Sequence, residues 1–161
     1  MNPGSRRKIL QQMSYGLYFL GAPAPEGGCI AILANWVGQV SFVPPLLAIS
    51  IERGSAIHAA ITKSNCFTVN ILPSEGVEIA RGFLKSPSSA TGSLNGREYR
   101  LSKKGCPVLI DSLSCVECDL RQTMECGDHT LFLGEAMDGE LHEEGNGLLM
   151  KDTGLNYWKE S

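Results

Sequence analysis

A chain of 161 residues is long enough to bury a hydrophobic core without a metal or disulfide staple. Hydrophobic residues make up 43% of the chain and charged residues 19%. This composition is typical of a globular protein and excludes a disordered chain. The formal net charge of −3 provides no basic field for a nucleic acid, and no apolar run approaches the ~18 residues of a membrane span. We therefore expect a single domain over 1–161 with no nucleic-acid or membrane partner.

The N-terminal segment is interpreted as a short amphipathic helix with Ile9, Leu10 and Met13 on one face. A secretory signal is the alternative, because a basic cluster at 6–8 precedes the apolar run 15–20. Two glutamines and a serine interrupt what should be the apolar centre of such a signal, so the pattern favours the helix.

Short strands follow along the first half of the chain. The segments 15–20 and 29–33 are strand-like, and the turn between them is rich in glycine and proline. The segment 46–51 alternates branched apolar residues with small ones, which predicts another strand. The segment 67–71 alternates apolar side chains with Thr68 and Asn70, which predicts a strand with one face inward.

Two helices are predicted beside these strands. Ser55 can cap a helix that runs to about Lys63, and a second helix over 73–85 has apolar residues at helical spacing. The loop 86–97 that follows is rich in serine and glycine, and its length is typical of a mobile cover over a site.

The remainder of the chain is predicted to be β-structure. Strands are expected at 108–110, 114–122 and 129–135, the last two paired as a hairpin about 126–128. A final short strand is expected near Tyr157 and Trp158. Many short strands with few short helices predict an all-β, closed or nearly closed barrel.

The six cysteines are interpreted as buried thiols rather than as a disulfide framework. Most of them stand inside apolar stretches, which favours a reducing, cytoplasmic location. Cys115 and Cys118 spell CxxC, and a redox pair or half of a metal site is the alternative for them. Because residues three apart in a strand point to opposite faces, these thiols should diverge, and no metal site is predicted.

The run 34–42 is the first candidate binding segment. Asn35, Gln39 and Ser41 supply hydrogen-bond donors, a glycine leaves room for close approach, and Trp36 offers a flat aromatic surface. Such a set suits an anionic ligand with an aromatic ring. The alternative is a plain hairpin loop with a buried tryptophan.

The second candidate is the run 51–55, where a strand end leads into a helix start. A helix N-terminus presents free N–H groups and the positive end of the helix dipole to a phosphate. Arg53 adds a fork of donors and Ser55 adds a hydroxyl. The alternative is an ordinary serine N-cap beside a solvated arginine.

Five segments together resemble a known family. They are YGLY at 15–18, ANWVGQVSFVPP at 34–45, KSNCFTVNIL at 63–72, ARGF at 80–83 and GDHTLFLGE at 127–135. In this order they are similar to the flavin reductase-like, FMN-binding split-barrel family. The flavoredoxin type is the nearest in character, together with the flavin reductase modules fused to rubredoxin or flavodiiron proteins. Because a rubredoxin-like pair of CxxC motifs is missing, we expect the flavin module alone.

The resemblance implies both the fold and the function. The fold would be an all-β Greek-key split barrel with a few short helices, assembled as a homodimer. FMN would be the cofactor, with FAD as the alternative, and NADH or NADPH would donate the electrons. The acceptor would be free flavin or a small rubredoxin- or ferredoxin-like protein. Two alternatives stay open, namely an electron-transfer flavoprotein without its own nicotinamide site and a non-catalytic flavin-binding module.

The resemblance also implies a set of site residues. His129 would lie near the flavin and the nicotinamide as the catalytic residue, although by composition alone it is a surface residue or a tie within the hairpin. Gly96-Arg97-Glu98-Tyr99 stands where many relatives carry Asp-Lys-Phe, so the choice of nicotinamide is left open. The implied flavin-binding residues are Ala34, Asn35, Trp36, Val37, Val40, Ser41, Arg53, Gly54, Ser55, Phe83 and Lys85.

Overall fold

The computed structural model describes residues 2–84 and 93–155 and is dominated by β-strands. In chain order the described elements are α1 (Pro3–Leu10), β1 (Tyr18–Pro23), β2 (Cys29–Ala34), β3 (Val37–Phe42), β4 (Pro45–Glu52), α2 (Ala56–Ser64), β5 (Cys66–Ile71), α3 (Val77–Gly82), β6 (Ser93–Leu94), β7 (Arg97–Leu101), β8 (Pro107–Leu109), β9 (Ser114–Cys126), β10 (His129–Leu141) and a 3-10 turn (Met150–Asp152).

Seven strands form one sheet in the order β2-β1-β5-β9-β10-β4-β3, and each neighbouring pair is antiparallel. A smaller sheet contains β6, β7 and β8. Within the described residues, β2 and β3 are the two edges of the large sheet and are not paired with each other. The barrel is therefore open at this point, and the chain crosses the opening directly, from the end of β2 to the start of β3.

The strand β5 is buried on both faces, whereas its sequence predicts burial on one face. The reason is that β8 packs over the face that carries the polar side chains. Thr68 Oγ1 donates to the carbonyl of Pro107 at 2.7 Å. Asn70 Oδ1 accepts from the N–H of Leu109 at 2.8 Å, while its Nδ2 donates to the carbonyl of Phe19 at 3.2 Å. Hydrogen bonding thus compensates the burial of Thr68 and Asn70.

Helix α2 covers one face of the sheet and confirms the predicted start at Ser55. The Ser55 hydroxyl accepts from the N–H of His58 at 3.3 Å, and Asn65 ends the helix in a left-handed conformation with φ of 55°. The cluster between α2 and the sheet contains Leu20, Ile49, Ile57, Ile61, Phe67 and Phe132. A second cluster, to which β1, α3 and β8 contribute, contains Phe19, Leu72, Ile79, Phe83, Leu94, Leu109 and Leu148.

The β9–β10 hairpin confirms the predicted turn. Cys126 pairs with His129, and Gly127 takes a φ of 62° in the two-residue turn between them. Both strands are 13 residues long. Strand β9 begins at the predicted Ser114 but continues past 122 to Cys126, and β10 continues past 135 to Leu141, with two bulges in their pairing.

Three segments differ from their sequence-based interpretation. The run 37–42 is the edge strand β3 rather than a loop, because its backbone pairs with β4 from Val37↔Ile49 to Phe42↔Pro45. Helix α3 covers only Val77–Gly82, since before it the N–H of Ser74 donates to the carbonyl of Asn146 and the N–H of Gly76 to the carbonyl of Pro73. Ile9, Leu10 and Met13, expected on one face of an N-terminal amphipathic helix, are exposed, and Met13 lies beyond the end of α1 at Leu10.

The predicted cover loop 86–97 lies partly outside the described residues. Its described end forms a hairpin of β6 and β7, in which Asn95 and Gly96 take φ values of 49° and 79°. Asn-Gly is the pair that such a turn prefers, because both positions need positive φ. The strand predicted near Tyr157 and Trp158 also lies outside the described residues.

Candidate functional site

A cavity of about 480 Å³ lies beside the opening of the large sheet. Its volume falls in the range of small-molecule and cofactor sites, which is about 300–1,000 Å³. One group of lining residues, here called the helix-start end, comes from the start of α2. A second group, here called the aromatic end, comes from the connection between β2 and β3 together with the first residue of β10, and the pairing of His129 with Glu52 brings the two groups close together. Its lining residues are Leu17, Ile32, Leu33, Ala34, Asn35, Trp36, Ser50, Ile51, Glu52, Ser55, Ala56, Ile57, Phe83, Leu84, His129, Met150 and Leu155.

Strand pairing explains why these elements meet. Glu52, the last residue of β4, pairs with His129, the first residue of β10, and the chain reaches Ser55, the N-cap of α2, three residues after Glu52. The N–H of Arg53 donates to the carbonyl of Asp128 at 3.0 Å, which ties the two turns together. The imidazole of His129 is therefore held beside the start of the helix.

The helix-start end of the cavity is formed by Ser55, Ala56 and Ile57. The Ser55 hydroxyl donates to the carbonyl of Glu52 at 2.8 Å while it caps the N–H of His58. By helix geometry the N–H groups of Ala56 and Ile57 have no partner inside the helix. These donors and the helix dipole make this end suitable for an anion such as a phosphate.

The aromatic end of the cavity is formed by Trp36 and His129. Their ring centroids are 4.8 Å apart at an angle of 55°, and the N–H of Ser50 donates to the carbonyl of Trp36 at 3.0 Å. His129 is 7% exposed, and its Nδ1 lies 2.7 Å from Oδ1 of Asp128. Because an ionised carboxylate can only accept, Nδ1 carries the proton, and Nε2 of a neutral ring is left as an acceptor.

A second cavity, of about 580 Å³, adjoins the first. Both are lined by Asn35, Trp36, Met150 and Leu155, and the second extends along the N-terminal segment 10–15. The Asn35 amide donates to Sδ of Met150 at 3.3 Å between them. The two cavities therefore form adjoining compartments that share the Trp36 side chain.

The structure brings together about half of the predicted site residues. Those that line the 480 Å³ cavity are Ala34, Asn35, Trp36, Ser55, Phe83 and His129. Phe83 reaches it because its ring packs edge-on against Phe19, with centroids 4.7 Å apart. The predicted residues that do not line this cavity are Val37, Val40, Ser41, Arg53 and Gly54. Lys85 lies outside the described residues.

For three of these five residues, the position in the fold explains why the residue lies outside the cavity wall. Val40 is on the edge strand and is 57% exposed. Arg53 extends toward the exposed hairpin, where its Nη1 lies 3.5 Å from Oε2 of Glu125. Gly54 supplies the left-handed turn, with φ of 82°, that joins β4 to α2. Contact of these residues with a ligand stays a prediction.

Several lining residues were missed by the sequence analysis. Met150 and Leu155 come from the C-terminal part of the chain, where no pattern marks them. Glu52 brings a carboxylate to the helix-start end, directly before Arg53. The apolar alternation of β2 is the one local signal that could have pointed to Ile32.

The other candidate residues, His58, Cys115 and Cys118, have structural roles. Nε2 of His58 lies 2.9 Å from Oγ1 of Thr130, and its ring packs edge-on against Phe132. Cys115 and Cys118 are buried, and burial raises the pKa of each thiol to about 12. Among the described residues, no cluster of His, Cys, Asp and Glu could hold a metal ion, and no helix is long and apolar enough to cross a membrane.

Comparison with known families assigns the chain on the basis of nearly its whole length. Residues 10–159 match the flavin reductase like domain. The chain belongs to this family. It is 30% identical over 135 residues to diflavin flavoprotein A 1 of Synechocystis sp., covering 83% of this chain and 23% of that protein. The chain therefore spans about a quarter of the length of that relative.

A second relative is similar in length to this chain. The chain is 30% identical over 146 residues to the ferric-chelate reductase (NAD(P)H) of Archaeoglobus fulgidus, covering 89% of this chain and 86% of that protein. In fold it is similar to the NADH:FAD oxidoreductase SgcE6 of Streptomyces globisporus C-1027, with a TM-score of 0.82 at 22% identity over 100% of this chain and 92% of that one. The predicted β-rich split-barrel fold is confirmed, with a sheet that is not closed.

Proposed function

We propose that this domain is an NAD(P)H-dependent flavin reductase that binds FMN in the 480 Å³ cavity. Family membership supports the flavin, and the name of the ferric-chelate reductase (NAD(P)H) supports a nicotinamide donor. The observation that carries the proposal is the cavity itself, which is lined by both a helix start and an aromatic pair. The proposed acceptors are free flavin or a small rubredoxin- or ferredoxin-like protein, and a cytoplasmic location stays a prediction.

The described residues fit a flavin mononucleotide in both shape and chemistry. Ser55 and the N–H groups of Ala56 and Ile57 provide donors for a phosphate. Apolar side chains of β2 line the cavity together with Leu17, directly before β1, and Phe83 and Leu84, directly after α3, so a ring system can be buried there. Trp36 and His129 add an aromatic surface, which suits the edge of an aromatic ring.

A bound flavin would supply the redox chemistry, by accepting a hydride from the nicotinamide at its N5 atom. The protein's part would be to hold the flavin and to orient the flavin and the nicotinamide. The start of α2 binds the anionic end, and the Trp36 side chain limits how far the ring can shift toward the neighbouring cavity. His129 offers Nε2 to a donor on the flavin or on the nicotinamide carboxamide, which fixes their relative orientation.

An electron-transfer module without its own nicotinamide site is the second candidate function. The observation that favours it is the match to about a quarter of a diflavin flavoprotein, since such a protein carries more than one flavin. In that setting the module would exchange electrons with a second redox centre. The two functions differ in whether NAD(P)H reduces the bound flavin.

A homodimer is the proposed assembly. The β3–β4 hairpin ends in three exposed apolar side chains, with Val40, Phe42 and Val43 at 57%, 83% and 92% exposure. A monomer rarely leaves such a group in water, so a second copy is the proposed cover. The unpaired edge of β3 adjoins the β2–β3 connection that lines the cavity, so a dimer contact there would lie near the flavin.

Identification of the bound flavin tests the proposal. The purified protein should release FMN on heating, or bind FMN at micromolar concentration in a titration followed by tryptophan fluorescence. FAD titrated in parallel distinguishes the two flavins, and light scattering on the same sample should give twice the chain mass. Absence of binding to either flavin would overturn the proposal, while a monomer that retains FMN would contradict only the dimer.

A further inference from the structure

Two buried thiols meet on the side of β5 that faces β8, outside the flavin cavity. Cys66 is the first residue of β5 and Cys106 directly precedes β8. Their Sγ atoms are 3.5 Å apart, although 40 residues separate them in the chain. Both cysteines are free thiols in the structure, and they are 4% and 2% exposed.

The surrounding hydrogen bonds hold this thiol pair in place. The Ser102 hydroxyl accepts from the N–H groups of Lys104 and Cys106, each at 3.3 Å, and the N–H of Ser102 donates to the carbonyl of Cys106 at 2.8 Å. Gly105 completes this turn with a φ of 81°. On the other side, the Ser64 hydroxyl donates to the carbonyl of Cys66 at 3.1 Å. The contact therefore joins two well-anchored backbone segments.

A cavity of about 250 Å³ leads to the thiol pair and has no lining residue in common with the flavin cavity. Its lining includes both cysteines and the exposed residues Lys103, Lys104 and Asp138. The cavity therefore brings space for a small polar molecule against the two cysteine residues, whereas a peptide-sized disulfide is too large for this space.

The charges around the pair distinguish the two sulfur atoms. A hydrogen bond from the Cys106 thiol lowers the pKa of Cys66, and Ser64 and the Lys104 ammonium act in the same direction against the effect of burial. Sharing its proton with Cys66 raises the pKa of Cys106, and burial adds to this effect. Lys104 is held at the site by an ion pair with Asp119. Cys66 is thus the better nucleophile of the two.

We propose that Cys66 and Cys106 form a redox-active dithiol that hydrogen peroxide converts into an intramolecular disulfide. The Cys66 thiolate attacks one peroxide oxygen, the O–O bond breaks, and Cys66 becomes a sulfenic acid while hydroxide leaves. The Cys106 sulfur then attacks the Cys66 sulfur, the S–O bond breaks, and the hydroxide that leaves takes up the Cys106 proton as water. In sum, two thiols and one peroxide give one disulfide and two waters. A dithiol reductant reverses the change.

The disulfide would close a loop that includes part of the flavin cavity. The segment between the two cysteines contains α3 and Phe83, whose ring lines that cavity. Closing the loop restricts the unfolded chain, so the oxidised protein should melt at a temperature roughly 5–15 °C higher. The Sγ atoms must approach from 3.5 Å to bonding distance, which is about 2.05 Å.

Peptide mapping of the full chain tests the proposal. The reduced protein, in a Cys126→Ser background that removes the exposed thiol, is treated with one equivalent of hydrogen peroxide, alkylated and digested. We expect a cross-linked pair of peptides containing Cys66 and Cys106, lost again after reduction with dithiothreitol. Unmodified thiols at both positions, or a cross-link from Cys66 to Cys118 instead, would overturn the proposal.

Two single variants test the order of the steps in the same background. Cys106→Ser should stop at a sulfenic acid on Cys66 that dimedone traps, whereas Cys66→Ser should leave Cys106 unreacted. The opposite labelling pattern would contradict the assignment of Cys66 as nucleophile. Because the cross-link is first sought without changing either buried cysteine, a poorly folding variant does not remove the test. Cys115→Ser is the matched control, and it should still form the cross-link.

Discussion

The two ends of the 480 Å³ cavity are built in different ways. The helix-start end presents backbone N–H groups and one hydroxyl, which α2 fixes regardless of the side chains that follow, beside the Glu52 carboxylate. The aromatic end consists of Trp36, from the connection between β2 and β3, and His129, from the start of β10. They meet through the pairing of β10 with β4 and the bond from Ser50 to Trp36. The first end is suited to hold charge, and the second to orient a ring. The affinity for FMN and the rate of flavin reduction should therefore respond to different substitutions.

Ser55→Asp should have the largest effect, and it should act on affinity. Aspartate caps a helix as well as serine does, so α2 should stay folded, but its carboxylate would repel a phosphate at the helix start. Two like charges at ~4 Å cost up to ~4 kcal/mol near a protein surface, and solvent screening reduces this to an expected weakening of FMN binding of about 100-fold. Isothermal titration calorimetry measures the affinity, and the melting temperature checks the fold.

Arg53→Ala tests whether the predicted contact of Arg53 with the phosphate is made. In its position beside Glu125, half exposed and outside the cavity wall, its loss should weaken FMN binding by less than about threefold, whereas a contact made on binding would give a loss of about tenfold or more. A large loss with Arg53→Ala and none with Ser55→Asp would place the phosphate outside the helix start.

His129→Phe should have a smaller effect, and it should act on rate. Phenylalanine keeps a ring against Trp36 but removes both nitrogens, so FMN affinity should stay within about threefold. Loss of one positioning hydrogen bond should slow reduction of the flavin by NAD(P)H about tenfold. Single-turnover kinetics on the FMN-loaded variant measures this rate.

Asp128→Ala separates this role from a purely structural one. It removes the carboxylate bound to Nδ1 and leaves the His129 ring in place. If His129 only ties down the β9–β10 hairpin, both variants should lower the melting temperature and neither should change the reduction rate per bound flavin. That outcome would contradict an orienting role for His129.

Much of the helix-start end could be predicted from the sequence because its signals are local. Serine is a typical N-cap residue, which marks Ser55 as the helix start, and branched apolar residues alternate with small ones in the strand before it. The hairpin at 126–128 is similarly marked by its glycine. Edge strand β3 could not be predicted, because it exists through pairing with β4 and its own residues are largely exposed.

The rest of the site depends on contacts between distant parts of the chain. Met150 and Leu155 reach the cavity because the N–H of Met150 donates to the carbonyl of Tyr15, a pairing that no local pattern reveals. The contact of Cys66 with Cys106 likewise follows from how β8 packs on β5. The function and the choice of His129 were predicted from the family resemblance rather than from local patterns. The single domain over 1–161 stays a prediction.

The central claim is that the bound flavin accepts hydride from a nicotinamide held at the aromatic end of the cavity. Anaerobic stopped-flow mixing of the FMN-loaded protein with NADH, and separately with NADPH, tests it most directly. We predict that at least one of the two bleaches the blue absorbance of the bound flavin in a saturable reaction, far faster than it bleaches free FMN at the same concentration. Bleaching by both nicotinamides no faster than that of free FMN would contradict the claim and favour the electron-transfer module.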